Sequence, residues 1–414
     1  MLGLRHLPLR YRLPLIHGGL GLLARLRSGG WRKAGHSDAP QPGSLVVTGF
    51  VNETLGIGRA GRLTINALEA AGYAVVAHDL RPAYRQILPG KAVVPGRSGV
   101  WLIHANAPEC LIALMAHAPS QWNDRYRIGY WAWETSRAPR DWLFVADYLH
   151  EIWAPSHYVK TALAAAMTAA GRGDLIARLR VMPHPVPPAP PGLREKTRFG
   201  LDSALCEVLS LFDTKSSAAR KNPWGVIDAW RLAFPEPAVR ARLTLKVADL
   251  DRERATEQRL LALLTTRPDI RLVCERYGDA EMQAFIAAFD VLISLHRSEG
   301  FGLTLAEAMA AGVAVIATAG SGNDDFMNAG NARLVPAALV PVRDADGPYG
   351  CLEGDPAQLW GDPDLAAAAQ ALRDLTGSQA VRDGLAAGGP KALESLDAPW
   401  RRKAMAALPL NAWL

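Results

Sequence analysis

The chain has 414 residues, 49% hydrophobic and 21% charged, with a net charge of +6. That length exceeds what one hydrophobic core usually supports, so two domains are expected, and no apolar run reaches the roughly 18 residues of a bilayer span. Cys110, Cys206, Cys274 and Cys351 form no CxxC, which argues against a structural zinc or a disulfide framework and fits a reducing compartment.

The excess charge is local. Residues 1–43 hold seven Arg/Lys against one acid, Asp38, and the rest of the chain is balanced, so a general affinity for nucleic acid is not expected. This basic N-terminal extension mixes leucine with arginine. Arginines interrupt its apolar part and no small-x-small cleavage site follows, so it does not read as a secretory signal. Pro8, Pro14 and the Gly18-Gly19 pair are expected to prevent one long helix. Two readings stay open: peripheral contact with an anionic membrane, with arginines on phosphates and leucines in the interface, or a disordered start. Asp38 to Ser44 reads as a linker.

The first domain, 44–188, opens with a strand at Leu45–Val51. A literal G-x-G-x-x-G follows, Gly56-Ile57-Gly58-Arg59-Ala60-Gly61, then a helix to Ala71, a strand from Ala74 to His78 and Asp79 at its end. Such a loop suits an NAD(P)-dependent oxidoreductase. Four residues separate the strand from the first glycine, however, where the dinucleotide fingerprint turns at once. Val100–His104 is a buried strand, and Arg127–Thr135 is strand-like with Glu134 at its tip. Five of the twelve tryptophans lie between Trp122 and Trp153. Most suit a core, while Trp131 or Trp133 could offer a ring face to a sugar. Tyr158–Ala170 is helical. Residues 180–191 contain six prolines and read as the interdomain linker, with His184 a linker histidine.

The second domain, 189–375, starts with a strand at Cys206–Phe212. Residues 213–222 read as a loop, and a helix begins at Pro223 behind Asn222, a good N-cap. Basic residues ahead of a helix N-terminus oppose its dipole, so Arg220 and Lys221 make sense around an anion. Strands follow at Leu243–Val247, Ile270–Cys274 and Asp290–Ser294, with helices at about Arg254–Thr266 and Ala280–Phe289. The stretch SLHRSEGFGLTLAEAMAAG, Ser294–Gly312, then reads as strand, glycine turn and helix. That geometry aims free N–H groups and a positive helix end at one spot, which accepts phosphate. Glu299 and Glu307 flank it, and carboxylates suit sugar hydroxyls. A strand at Val313–Thr318 leads to a polar loop, 319–327, also at a strand's C-terminal end. Asp364–Leu375 is a helix, and 376–414 is a tail that glycines and prolines leave ill-defined.

The alternation of strands and helices, twice, predicts two doubly wound Rossmann-like α/β domains facing a cleft. Glu299-x7-Glu307, with Gly-Phe-Gly after the first acid and Glu-Ala-Met-Ala-Ala-Gly around the second, resembles the donor-site signature of family 4 (group 1) glycosyltransferases. Phe212-Asp213-x-x-Ser216-x-x-x-Arg220-Lys221-Asn222-Pro223, GYWAWET, Trp142 and EIWAPS resemble a subgroup acting in bacterial polysaccharide assembly, lipopolysaccharide included. The resemblance spans about residues 45–375 and implies the GT-B fold, retention of anomeric configuration and no required metal or cofactor. It implies that Glu307 holds the nucleotide ribose and that Arg220, Lys221, Ser216 and the amides of Leu303 and Thr304 hold the diphosphate, the turn residues Gly300, Phe301, Gly302, Leu303 and Thr304 lying against the donor with Asn323. Glu299 orients the sugar, Gly56 and Gly58 approach the donor, and Glu134 stands where many relatives carry a histidine. The donor would be a nucleotide-diphosphate sugar and the acceptor a glycan or lipid-linked hydroxyl, at the inner face of the cytoplasmic membrane. The tail would cross back to the first domain. A silent sugar-nucleotide binder and an epimerase on the same fold remain as alternatives.

Overall fold

The structure, a computed structural model, describes residues 7–35, 40–53, 56–190, 192–213, 216–250 and 254–414. Asp38 and Ala39 of the expected linker, and Thr214 and Lys215 of the expected clamp loop, lie outside the described residues. The chain divides into two compact units: Tyr11–Pro185 with Leu396–Leu414, and Val186–Ser395 with Pro8–Arg10. The boundary falls inside the proline run, and residues 376–395 stay with the second unit.

The first unit is a six-stranded parallel sheet in the order β2-β1-β3-β4-β5-β6. Its strands are β1 (Leu45–Gly49), β2 (Val75–Asp79), β3 (Val100–His104), β4 (Tyr126–Tyr130), β5 (Glu151–Ala154) and β6 (Leu179–Val181). Side chains alternate across a strand, so each interior strand feeds two cores. Val46, Trp101, Ile103 and Ile152 point to one face. Leu45, Val47, Val100, Leu102, Ile128 and Trp153 point to the other. The first face is covered by α1 (Leu9–Arg27), α3 (Ala107–Ala116), α4 (Trp142–Ala146) and α5 (His157–Ala169). The second is covered by α2 (Gly56–Ala70) and by the chain's last residues, with Trp400, Met405 and Leu410 in its core. Trp400 stands edge-on to Trp153, and its Nε1 donates to the Pro183 carbonyl at 2.7 Å.

Three expectations are corrected here. Pro14 and the glycines do not stop α1, which runs 19 residues through Pro14. The proline removes one intrahelical bond a turn inside the helix, and packing of Leu20, Leu23 and Ala24 on the first core outweighs that loss. The strand ending in GYWAWET stops at Tyr130. Trp131 is fully buried and donates to Cys110 Sγ at 3.3 Å, so it offers no face to a sugar. Trp133 packs edge-on against Trp142 and donates to Thr135 Oγ1.

The second unit repeats the design in the order β12-β11-β10-β7-β8-β9. Its strands are β7 (Cys206–Asp213), β8 (Ala241–Ala248), β9 (Ile270–Val273), β10 (Val291–Ser294), β11 (Ala314–Thr318) and β12 (Arg333–Val335). Its helices are α6 (Ala218–Lys221), α7 (Pro223–Ala233), α8 (Arg254–Leu264), α9 (Asp279–Ala287), α10 (Leu303–Ala310), α11 (Leu365–Gly377) and α12 (Gln379–Asp397). An antiparallel hairpin, β13 (Ala337–Pro341) with β14 (Leu359–Pro363), was not foreseen from sequence. The tail's glycines also mislead: α12 is continuous, and a Cβ on Gly388 or Gly389 would meet the Gly330 or Met309 carbonyl at 2.8 Å. Glycine is there for close approach, not for a break.

The G-x-G-x-x-G motif lies within the first turns of α2 and not in a loop ahead of it. A Cβ on Gly58 would meet the Glu53 carbonyl oxygen at 2.2 Å and that of Phe50 at 2.7 Å, whereas one on Gly56 meets nothing within 4 Å. Gly58→Ala is therefore expected to lower stability by about 1–3 kcal/mol, the cost of overpacking. Gly56→Ala should be neutral or slightly stabilising. Urea unfolding of the two variants checks both.

Candidate active site

In the second unit the chain leaves β7 twice over: β8 and β9 extend the sheet to one side, β10 to β12 to the other. Open α/β sheets bind ligands outside the strand C-termini where the order reverses. That point lies between β7 and β10, so the segments following Asp213 and Ser294 emerge side by side.

The two segments are stitched together. Asn222 Nδ2 donates to the Leu295 carbonyl at 2.9 Å, Arg297 N to Arg220 O at 2.7 Å, and Arg297 Nη1 to Ala219 O at 2.6 Å. Arg220 Nη1 returns a bond to Ser298 O at 2.9 Å. Asn222, at φ +51°, accepts from Gly225 N and caps α7, with Pro223 at the first helical position. The expected loop 213–222 is corrected: Ala218–Lys221 forms one helical turn, capped by Ser217 Oγ. Arg220 and Lys221 thus sit in the last turn of a short helix, where cations suit the dipole. Ser217 Oγ also donates to Asp344 at 2.9 Å, an anchor 127 residues away.

Both cations converge on one acid. Glu299 Oε1 pairs with Lys221 Nζ and lies 3.4 Å from Arg220 Nη1. Burial pushes this carboxyl up, but Lys221 first, then Arg220, outweigh it and hold the group at about 2. Two cations against one carboxylate leave a net positive centre, which suits a diphosphate. Beside it, α10 begins at Gly302, whose φ of +92° is glycine's region. The first N–H groups of any helix lack intrahelical acceptors, so the Leu303 and Thr304 amides are oriented for an anion.

The turn's other wall is a network that sequence reasoning missed. His296 is fully buried, held at about 4 mainly by burial, with Nε2 3.2 Å from Ser321 Oγ and 3.1 Å from Asn323 Oδ1. Glu299 N donates to Ser321 Oγ at 3.2 Å, and Gly322 N to the Glu299 carbonyl at 2.8 Å. A Cβ on Gly322 would meet Gly300 O at 2.3 Å. A histidine two residues past a buried strand was the available signal; Ser321 and Asp344 had none.

The expected site residues fall into three groups. Arg220, Lys221, Glu299, Gly300, Gly302, Leu303, Thr304 and half-buried Glu307 stand together on the switch-point turns and α10. Ser216 follows β7, its amide on Asp213 Oδ1 at 2.7 Å and its buried hydroxyl without a hydrogen-bond partner among the described residues. Two expectations are corrected as side-chain contacts. Phe301 is buried against Phe326 at 5.2 Å. Asn323 is 0% exposed and spends its amide on His296 and on Thr318 O, so it positions rather than touches. Gly56, Gly58 and half-buried Glu134 belong to the first unit. There His184 is buried, not a plain linker histidine; its Nδ1 lies 2.9 Å from Tyr130 Oη. Tyr130 stacks on His104 at 4.3 Å, and neither buried His104 ring nitrogen has a hydrogen-bond partner among the described residues.

The oxidoreductase reading weakens on this geometry. The first sheet is not in the 3-2-1-4-5-6 order of dinucleotide domains. Asp79, which would take a ribose, accepts from Asn52 Nδ2 at 3.0 Å and from Arg81 N at 3.2 Å.

Two doubly wound parallel sheets, with a cationic switch point and a helix start in the second, define the GT-B class. Residues 215–346, within the second unit, match the model of the family described as Glycosyl transferases group 1. No curated protein matches the chain. Similar solved structures include sucrose-phosphate synthase from Thermosynechococcus elongatus, 15% identical, covering 88% of this chain and 96% of that one at a TM-score of 0.60. HepE of Anabaena, in complex with UDP and glucose, is 13% identical, with 88% and 100% covered and a TM-score of 0.59. The UDP-forming α,α-trehalose-phosphate synthase of Burkholderia vietnamiensis is 14% identical, with 87% and 81% covered at 0.54. At these identities the likeness establishes the fold, GT-B.

The buried titrating groups set a pH dependence. His104, His117 and His296 are each held at about 4, mainly by burial. Unfolded histidine takes its proton near 6.5, so between these values the unfolded chain binds more protons and stability is lost as pH falls. Glu299, at about 2, adds a second loss as pH drops from its unfolded value near 4.5 toward 2. Each group contributes at most on the order of 3 kcal/mol. Burial raises the Glu109 carboxyl to about 7, which acts in the opposite sense between 7 and 4.5 and offsets about one histidine. With three histidines against it, urea midpoints should hold above pH 7 and decline from 6.5 downward, and Glu299→Gln should flatten only the part below 4.5.

Proposed function

We propose that the chain is a retaining glycosyltransferase that moves a hexose-type sugar from a nucleotide-diphosphate sugar to a hydroxyl of a glycan or lipid-linked acceptor. We place it in cell-surface polysaccharide assembly, at the inner face of the cytoplasmic membrane. The observation that carries the reading is the cluster of Arg220, Lys221 and Glu299 beside the start of α10. A redox reading leaves that cluster without a task. The UDP complexes among the similar structures make UDP-sugars the first donors to test.

In this reading Lys221, Arg220 and the Leu303 and Thr304 amides hold the diphosphate and stabilise it as it leaves, the term from which such sites gain most rate. Lys221 is the more exposed cation, so it meets the donor first, while Arg220 braces the turn through Ser298. Glu307 takes the ribose hydroxyls. Glu299 orients the sugar and is itself oriented by the two cations. The acceptor oxygen attacks the anomeric carbon from the side the diphosphate leaves. The carbon–phosphate-oxygen bond breaks, and the departing oxygen takes the acceptor proton. Glu134 is the candidate on the first unit for holding the acceptor hydroxyl. No metal or cofactor is required, because the cations and amides neutralise the leaving group.

Lys221→Ala should lower kcat by on the order of 100-fold, the scale of losing one charge-stabilising donor. The assay is run with a chelator present, and near-normal turnover in a folded variant would overturn the clamp. The two acids should fail differently. Glu307→Gln should weaken binding of free nucleotide and donor alike, since a neutral amide lacks charge assistance, which roughly doubles such bonds. Glu299→Gln should leave free-nucleotide affinity nearly intact and reduce turnover. Calorimetry with free nucleotide beside a transfer assay separates them; a silent binder shows only the first loss, and an oxidoreductase neither.

A further inference from the structure

Helix α1 packs one side into the first core and leaves an apolar stripe on the other. Leu20 and Leu23 pack against the core and Ala24 is fully buried within it. On the opposite side, Tyr11, Leu15, Leu22 and Leu26 are 53%, 57%, 62% and 77% exposed. Their spacings place them within about 60° of the helix circumference, along about 22 Å of its length. Exposed Gly18 and Gly19 lie between Leu15 and Leu22 along the helix. Scattered exposed leucines need no explanation; a continuous stripe on one helix does.

Charge identifies what covers it. No acid occurs between residues 7 and 35, while Arg10, Arg12, Arg25, Arg27, Arg32 and Lys33 do. Arg27 and Lys33 are used internally, on Ile87 O and Asp147, and Arg25 lays its guanidinium over the Phe144 ring while staying exposed. Exposed Arg25 borders the stripe, and exposed Arg32 follows the helix. A second copy of this surface would bring like charges together. A lipid surface with negative headgroups meets leucine with acyl chain and arginine with phosphate. We propose that the outward face of α1 lies in the headgroup boundary of an anionic membrane, with Tyr11, Leu15, Leu22 and Leu26 inserted. This deepens the membrane-side part of the reading above, yet is independent of the transfer chemistry.

The test is co-sedimentation of the full chain with vesicles containing phosphatidylglycerol and with vesicles of phosphatidylcholine alone. The wild type is expected to bind the anionic vesicles at least roughly tenfold better, and Leu15→Gln/Leu22→Gln/Leu26→Gln to lose a similar factor. The melting temperature and turnover of a soluble acceptor should not change. Should the triple variant unfold, Leu26→Gln, at the most exposed position, carries the comparison. A wild type that stays in the supernatant, or a folded variant that binds as well as the wild type, overturns the proposal. So does a dimer that the variant dissociates without any vesicle binding. Failure of the transfer assay with both proteins leaves the vesicle comparison standing, so the two readings fall separately.

Discussion

A carboxylate buried at the end of a parallel strand is tolerated only if counter-charge is fixed beside it. Glu299 meets that condition through Lys221 and Arg220, brought from a segment 78 residues earlier. Much of the local structure follows from keeping this contact. The Arg220 carbonyl accepts from Arg297 N, the Ala219 carbonyl from the Arg297 guanidinium, and the Asn222 amide holds Leu295. Without those bonds the two cations would not share a position, and the acid would be an uncompensated charge. The same arrangement leaves one positive charge in excess beside a helix start, which is what a departing diphosphate needs.

Sheet order is what makes such a contact possible between distant residues. Because β7 lies between β8 and β10, its following segment and that of β10 leave the sheet as neighbours. The 319–327 loop then closes the turn from β11's end, with Gly322 pressed on Gly300 and Asn323 filling the space under His296. The polar groups of this wall satisfy one another, so they rigidify the turn instead of facing ligand. Preorganisation of that kind is what lets a few donors act strongly on a developing charge.

The legible part of the molecule was the part governed by local rules. Apolar runs located β1, β3, β7, β8 and β11, since buried parallel strands read as continuous hydrophobic stretches. The glycine turn and the good helix formers after Gly302 located α10, and Asn222-Pro223 located the start of α7. What stayed hidden depended on contacts remote in sequence. Whether Pro14 and Gly388 end a helix was decided by packing, not propensity. The pairing of Ser217 with Asp344 has no local signature, and Asn323 looked like a ligand group because its partner His296 lies 27 residues away. Trp131 lies one residue past a strand end, where exposure to ligand and burial against Cys110 cannot be distinguished by pattern.

The N-terminal helix and the last residues show why domain edges were hardest to read. Each is a segment whose composition looks unlike a core element, yet each covers one face of the same sheet. Leu20, Leu23 and Ala24 belong with one core, and Trp400, Met405 and Leu410 with the other. A doubly wound sheet must be covered on both faces, and α2 alone does not cover the second; the returning chain does. Composition marks residues 1–43 as charged and apart, but a helix can hide one apolar side and still display another. The leucines of α1 are too many for the face it buries, and the surplus stands exposed along the helix.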